Sequence, residues 1–294
     1  MTGNTSRRAF MALVCASAAL LPACGSGDIV DPFRPTRMLS VGDGFSDLGQ
    51  NGKRYTVNNG DINIWTEQMA TIYGLPLKPS DQGGLSYARG DALVTGAANS
   101  IENQVTAMLA ANTFAEGDLV AVSGGLRDIV DNAVDPNLTY AQMTANVQAA
   151  GRALGAQVNR LVQAGAKHVV AAGVWPLGQS PLGTKTGQST NLTNLTLAFN
   201  NAFKIAIVDL GANVLYLDSA TYFNSVYYSP TSYPPLNNVI TEACTTVLVT
   251  DCTPATITPG YDYTTLLFAN GVYPTPTGHL LLGSYAQAQV TNRW

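Results

Sequence analysis

Charge is scarce in this sequence: 12% of its 294 residues are Asp, Glu, Lys or Arg, whereas 46% are hydrophobic. The 15 Lys+Arg are outnumbered by 19 Asp+Glu and form no basic cluster outside the first ten residues. That removes the electrostatic footprint a phosphate backbone requires and excludes nucleic acid as a partner. Histidine is rarer still, with two in the chain, His168 and His279, so any imidazole mechanism must use one of them. The four cysteines and two histidines form no cluster with metal-ligand spacing, which leaves a zinc site unsupported, and nothing in the sequence requires a cofactor. Neither an internal repeat nor a second domain boundary is visible. What is there is enough apolar chain to bury one sizeable core, which excludes disorder.

The first residues read as an address. Arg7 and Arg8 precede an apolar run from Ala9 to Leu21, too short for a membrane span of ~20 residues but suited to an export signal. The frame Ser6-Arg7-Arg8-Ala9-Phe10-Met11 resembles a twin-arginine signal. Leu21-Pro22-Ala23-Cys24 resembles a bacterial lipobox, whose cysteine is acylated and becomes residue one. The expectation is a signal peptide over 1–23, a lipidated Cys24 with a Gly/Ser/Asp/Pro tether over 24–36, and one domain over 37–294. The protein is then anchored by lipid to the cell envelope, in the outer membrane, facing the periplasm or the surface. An ordinary secretory signal with a chance Cys24 is the alternative. Cys15 falls inside the signal, which leaves Cys244 and Cys252 in the mature chain; their short separation in a Thr- and Pro-containing stretch suits a loop-closing disulfide.

From Arg37 onward, apolar runs alternate with amphipathic segments, the pattern of βα units on a parallel sheet. Met38–Val41, Asp118–Val122, His168–Ala172 and Val214–Leu217 are short, apolar and bounded by Gly, Asp or Ser, as strands covered on both faces would be. Tyr140, Met143, Val147, Leu154, Val158 and Leu161 recur at helical spacing and predict one long helix ended by Gly165. Shorter helices fit Asn63 to Tyr73, Ile101 to Ala111, Asn191 to Leu210 and Thr277 to Asn292. The expected fold is a three-layer α/β/α sandwich, doubly wound around a mostly parallel sheet of about five strands, with its ligand site at their carboxyl ends.

The first strand runs into Gly42-Asp43-Gly44-Phe45-Ser46-Asp47. This segment resembles the first block of the SGNH/GDSL hydrolases, esterases and lipases in which Gly-Asp-Ser-Leu-Ser-Asp carries the nucleophilic serine. Three further blocks follow in the family's order. Tyr87-Ala88-Arg89-Gly90-Asp91-Ala92 resembles the block whose glycine amide helps form the oxyanion hole, a role Gly90 keeps available. Ser123-Gly124-Gly125-Leu126-Arg127-Asp128 resembles the Gly-x-Asn-Asp block, with Arg127 in place of the oxyanion asparagine. Phe268 to Thr275 aligns with Asp-x-x-His-Pro-Thr, with Asn270 replacing the aspartate and Tyr273 the histidine. Val174 to Pro181 and Phe199-Asn200 resemble supporting stretches. The resemblance, which runs from Met38 to the C-terminus, implies a flavodoxin-like fold and an ester-hydrolase ancestry.

Acyl transfer by that route needs a hydroxyl to attack, an imidazole to take its proton and a carboxylate to orient the imidazole. Gly44, Tyr273 and Asn270 supply none of these. The resemblance therefore implies a catalytically degenerate relative that serves as a binding or scaffold module. Two other readings remain open: an active ester hydrolase with a displaced Ser46/His279 dyad, and a structural lipoprotein with a collapsed cleft. An open pocket among Tyr87, Arg127 and Tyr273 would separate the first from the last. His168, at the amino end of its strand, and His279 both suit structural roles, as does Ser46. Asp43 and Asp47 suit turn stabilisation or helix capping. Arg127 has two readings. With the Gly44 and Gly90 amides it could hold a carboxylate or phosphate, making the cleft a site for a small anionic or ester-like ligand; alternatively it pairs with Asp43, Asp91 or Asp128.

Overall fold

Continuous apolar runs bounded by turn residues are what a strand buried on both faces requires, and they become the central sheet. The computed structural model describes residues 32–294, so the expected signal peptide, Cys24 and most of the expected tether lie outside the described residues. Strands β1 (Arg37–Val41), β2 (Asp118–Val122), β3 (His168–Ala172) and β4 (Val214–Leu217) pair in that order, all parallel. Among the described residues the parallel sheet thus has four strands rather than about five, and the outer edge of β1 carries an isolated parallel bridge, Ser40 to Ser86, instead of a fifth strand. There residues 85–89 run parallel to β1, with Ser40 N donating to Leu85 O (3.1 Å), Tyr87 N to Ser40 O (2.7 Å) and Arg89 N to Gly42 O (3.0 Å). The chain thus leaves β1 for one edge and returns on the other side of it. That reversal creates a crevice at the carboxyl ends of β1 and β2, where such folds place ligands.

Helices α1 (Trp65–Ile72), α2 (Ile101–Ala111), α3 (Leu126–Val134), α4 (Tyr140–Gln163), α5 (Pro181–Thr186), α6 (Ser189–Ile207), α7 (Ser219–Tyr228) and α8 (Pro276–Arg293) complete the layers. α1 packs on α8, while α4 packs along α6 and against α2 and α3. The α4–α6 contact is close because Gly151 and Gly155 face it: a Cβ at Gly151 would lie 2.5 Å from the Phe199 carbonyl oxygen. Thr139 and Gln142 close a capping box at the start of α4, satisfying amides that have no partner within the helix.

A separate three-stranded sheet forms from β5 (Asn238–Glu242), β6 (Leu266–Asn270) and β7 (Tyr273–Pro274). Cys244 and Cys252 are bonded beside it. They pack with Val57, Val249, Leu266 and Ala269 in a second small core.

The compact unit is Phe33–Trp294, because Phe33 stacks on His168 (3.7 Å between ring centroids) and its amide donates to the Trp294 carbonyl (3.0 Å). The stretch expected to be tether therefore joins the domain four residues before Arg37. His168 sits between Phe33 and Trp294 at the amino end of β3, and burial lowers its pKa.

Candidate functional site

The turn after β1 is held by buried polar groups. Gln104 of α2 clamps Gly42, accepting from its amide (2.8 Å) and donating to its carbonyl (2.9 Å). Asp43 accepts from Phe45 N and from Leu126 N, both at 3.1 Å, which ties the turn to the first residue of α3. Burial raises the Asp43 pKa to about 6, the amides opposing it in part. Asp47 accepts from Gly49 N (2.8 Å), Gln50 N (3.0 Å) and Gly90 N (2.7 Å), and burial raises its pKa too. Ser46 accepts from Trp65 Nε1 (2.8 Å), shares a hydrogen bond with Ser123 Oγ (2.7 Å) and is inaccessible to solvent.

Gly44, Gly90, Arg127, Asn270 and Tyr273 come from distant parts of the chain and meet at this end of the sheet. Tyr55, from the loop between β1 and α1, lies across the first two. A Cβ at Gly44 would sit 2.9 Å from Tyr55 Cγ and 3.0 Å from Tyr273 Oη, and one at Gly90 would sit 2.0 Å from Tyr55 Oη. The two tyrosine rings are tilted with centroids 5.0 Å apart. Burial, then the negative charge of Asp43 and Asp91, holds the Tyr273 phenol well above its ordinary pKa. Asn270 Nδ2 donates to the Thr246 carbonyl, a bond no carboxylate can make.

Arg127 makes two bonds. Its Nε bonds Asp131 Oδ2 (3.0 Å), one helical turn along α3, and its Nη1 donates to the Asp91 backbone carbonyl (2.7 Å). The guanidinium therefore pairs with a carboxylate outside the expected set, because the i,i+4 partner on its own helix is nearer to hand. The Gly90 amide, expected to be free for an oxyanion, is committed to Asp47. Asp128 accepts from Val94 N (3.1 Å). Burial, with Asp43 adding to it, raises the Asp128 pKa to about 6.

His279, on α8, is fully buried against Phe45 with no hydrogen-bond partner for either ring nitrogen. Burial lowers its pKa to about 3, so the ring is neutral near pH 7. Ser46 and His279 make no hydrogen bond to each other, and neither is open to a substrate. The displaced dyad is not assembled.

An open cleft of about 260 Å³ does lie here, lined by Tyr55, Asp91, Leu182, Leu248, Asn270 and Tyr273 among others. Its walls differ from the expected trio. Tyr87 is elsewhere, its hydroxyl accepting from Asn112 Nδ2 (2.9 Å). Tyr55 and Gln104 are the residues that reading the sequence misses: Tyr55 sits in a loop without periodicity, and a glutamine on a helix carries no signal of its own. Among the described residues no group of three His, Cys, Asp or Glu side chains is placed to hold a metal ion.

No family model matches the chain. A curated protein of Pseudomonas putida, described as an uncharacterized protein in the trpE-trpG intergenic region, is 25% identical over 333 residues, covering 97% of this chain; the chain spans about half, 52%, of that relative's length. Two solved structures are similar in shape. A member of the lipolytic protein G-D-S-L family from Veillonella parvula has TM-score 0.48 at 11% identity, covering 86% of this chain and 96% of its own. An acetyl xylan esterase from Geobacillus stearothermophilus has TM-score 0.46 at 12% identity, covering 88% of this chain and 96% of its own.

Proposed function

We propose that this domain descends from SGNH/GDSL ester hydrolases, has lost hydrolysis and uses the remaining cleft to bind a ligand. The motif blocks support the ancestry, together with the meeting of their key positions at the carboxyl ends of β1 and β2. One observation carries the loss of activity. The Tyr55 ring covers both Gly44 and Gly90, and Asp47 holds the Gly90 amide. No hydroxyl paired with an imidazole faces the cleft, and the oxyanion donors that supply the largest electrostatic contribution are committed elsewhere. The cleft beside Tyr55 and Tyr273 gives the binding reading a place for a ligand, although Tyr87 and Arg127 are not in its lining.

A fluorophosphonate probe, which labels serines activated by a base, is expected to leave the protein unlabelled, and p-nitrophenyl acetate and butyrate are expected to be hydrolysed at the buffer rate. Covalent labelling of a serine in residues 33–294 overturns the proposal.

The envelope location is part of the same proposal and rests on Arg7, Arg8 and the Leu21-Pro22-Ala23-Cys24 frame. Lipoprotein processing adds several acyl chains, which together hold a protein firmly where one would not. Cys24→Ser is expected to move the protein from the membrane pellet to the soluble fraction. A variant that sediments as the wild type does would remove the lipid anchor from the proposal.

A further inference from the structure

The geometry points to a small organic cation, an ammonium head with a short apolar chain, as the occupant of the cleft beside Tyr55, Asp91 and Tyr273. This rests on the reading of the cleft as a non-hydrolytic binding site and adds the class of ligand. An anion would need the guanidinium of Arg127 and the amide of Gly90; the Nε and Nη1 of the first are engaged by Asp131 and the Asp91 carbonyl, and the second by Asp47. Arg89 is paired with Asp81, Lys53 with Asp251 and Lys185 with Glu242. Asp43, Asp47, Asp91 and Asp128 lie about this end of the sheet, with the Arg127 guanidinium bonded to the Asp91 backbone carbonyl (2.7 Å). Of these, Asp91 reaches the cleft, where Tyr55 Oη donates to its Oδ2 (3.2 Å).

The rest of the lining fits a cation with a hydrocarbon part. Tyr55 and Tyr273 bring two phenol rings to the cleft with centroids 5.0 Å apart, and the negative ring faces attract an ammonium group, most strongly one without donors that water can hydrate. Leu182, Val247 and Leu248 form an apolar wall. A volume of about 260 Å³ admits a head group and a few carbons but not a long chain.

Calorimetric titration of the full chain with three probes of similar size tests the inference: choline, its uncharged carbon isostere 3,3-dimethylbutan-1-ol, and butyrate. Choline is expected to bind with a Kd of about 1 mM or tighter. The isostere is expected to be at least about tenfold weaker and butyrate to give no binding heat. Asp91→Asn removes the charge while keeping an acceptor for Tyr55. Asparagine also tolerates the left-handed backbone of this position, φ 54°, so the fold is retained. Choline affinity is expected to fall about tenfold or more in this variant. Tyr273→Phe, which keeps the ring, is expected to bind choline as the wild type does, and Tyr273→Leu to lose affinity.

Butyrate binding as tightly as choline, an isostere equal to choline, an unaltered Asp91→Asn, or no heat with choline each overturn the cation site. Incubation with butyrylcholine, the ester that water splits into choline and butyrate, tests the underlying reading separately. Release of butyrate would end the non-hydrolytic reading whether or not choline binds, whereas absent binding without release removes the cation site alone.

Discussion

The variant carrying Gly44→Ser, Asn270→Asp and Tyr273→His is expected to hydrolyse p-nitrophenyl butyrate no faster than buffer, although it regains every member of the family's triad. Three features stand against it. The new serine Cβ would lie 2.9 Å from Tyr55 Cγ, so the ring must swing away before the hydroxyl can meet a substrate. Asn270→Asp exchanges an N–H donated to the Thr246 carbonyl for a lone pair facing it, which tilts or expels the carboxylate meant to orient the histidine. The oxyanion donors are also absent, because Gly90 N serves Asp47 and position 127 carries arginine. Loss of one such donor costs about 10²–10³ in kcat. Adding Arg127→Asn and Tyr55→Ala to the triple variant is expected to raise kcat/KM by about that factor or more. Robust turnover by the triple variant with Arg127 and Tyr55 intact would show that the oxyanion geometry survives the substitutions.

How far the sequence could be read follows from the same physics. β2, β3 and β4 were legible to the residue because a parallel strand covered on both faces is a continuous apolar run with sharp polar ends. The α4 helix was legible because its apolar positions repeat over many turns. Three helices escaped, α3, α7 and the six-residue α5. α3 is nine residues long, buries Leu126, Ile129 and Ala133, and starts from Gly125 at φ 100°, so its apolar repeat is too short to stand out. α7 reads Ser-Ala-Thr-Tyr-Phe-Asn-Ser-Val-Tyr-Tyr, rich in residues that favour strands; its Asp218 cap, accepting from Thr221 N at 3.0 Å, and its packing decide for helix. At the site, the motif blocks located Gly44, Gly90, Arg127, Asn270 and Tyr273. The hydrogen bonds that decide their chemistry join residues distant in sequence, as Asp47 joins Gly90 across 43 positions, and such pairings leave no local pattern. The Asp131 partner of Arg127 was missed although it lies only four residues along the same helix.

Asp128→Asn is expected to make the domain more stable than the wild type at about pH 8, by about 1–3 kcal/mol, and no more stable at about pH 4. The sign follows from burial. Asp128 has a folded pKa of about 6, above the ~3.9 of an unfolded chain. A raised carboxyl contributes stability that is fully present below ~3.9, where both states are protonated, and is lost as pH rises through 6 and the folded state must carry a desolvated charge. Asparagine keeps an oxygen to accept from Val94 N, as Asp128 does at 3.1 Å, and never ionises. The substitution also withdraws a negative charge that faces Asp43, one of the influences on Asp128 itself, so the gain at high pH includes relief of that repulsion. His279 runs the other way: its pKa is lowered to about 3, so acid favours the unfolded chain in which it can protonate. That contribution is common to both proteins and cancels when they are compared at each pH. Urea unfolding of the pair, at about pH 8 and about pH 4, measures the difference directly. A variant less stable than the wild type at pH 8 would mean that Asp128 is held as a charged group by interactions stronger than its burial.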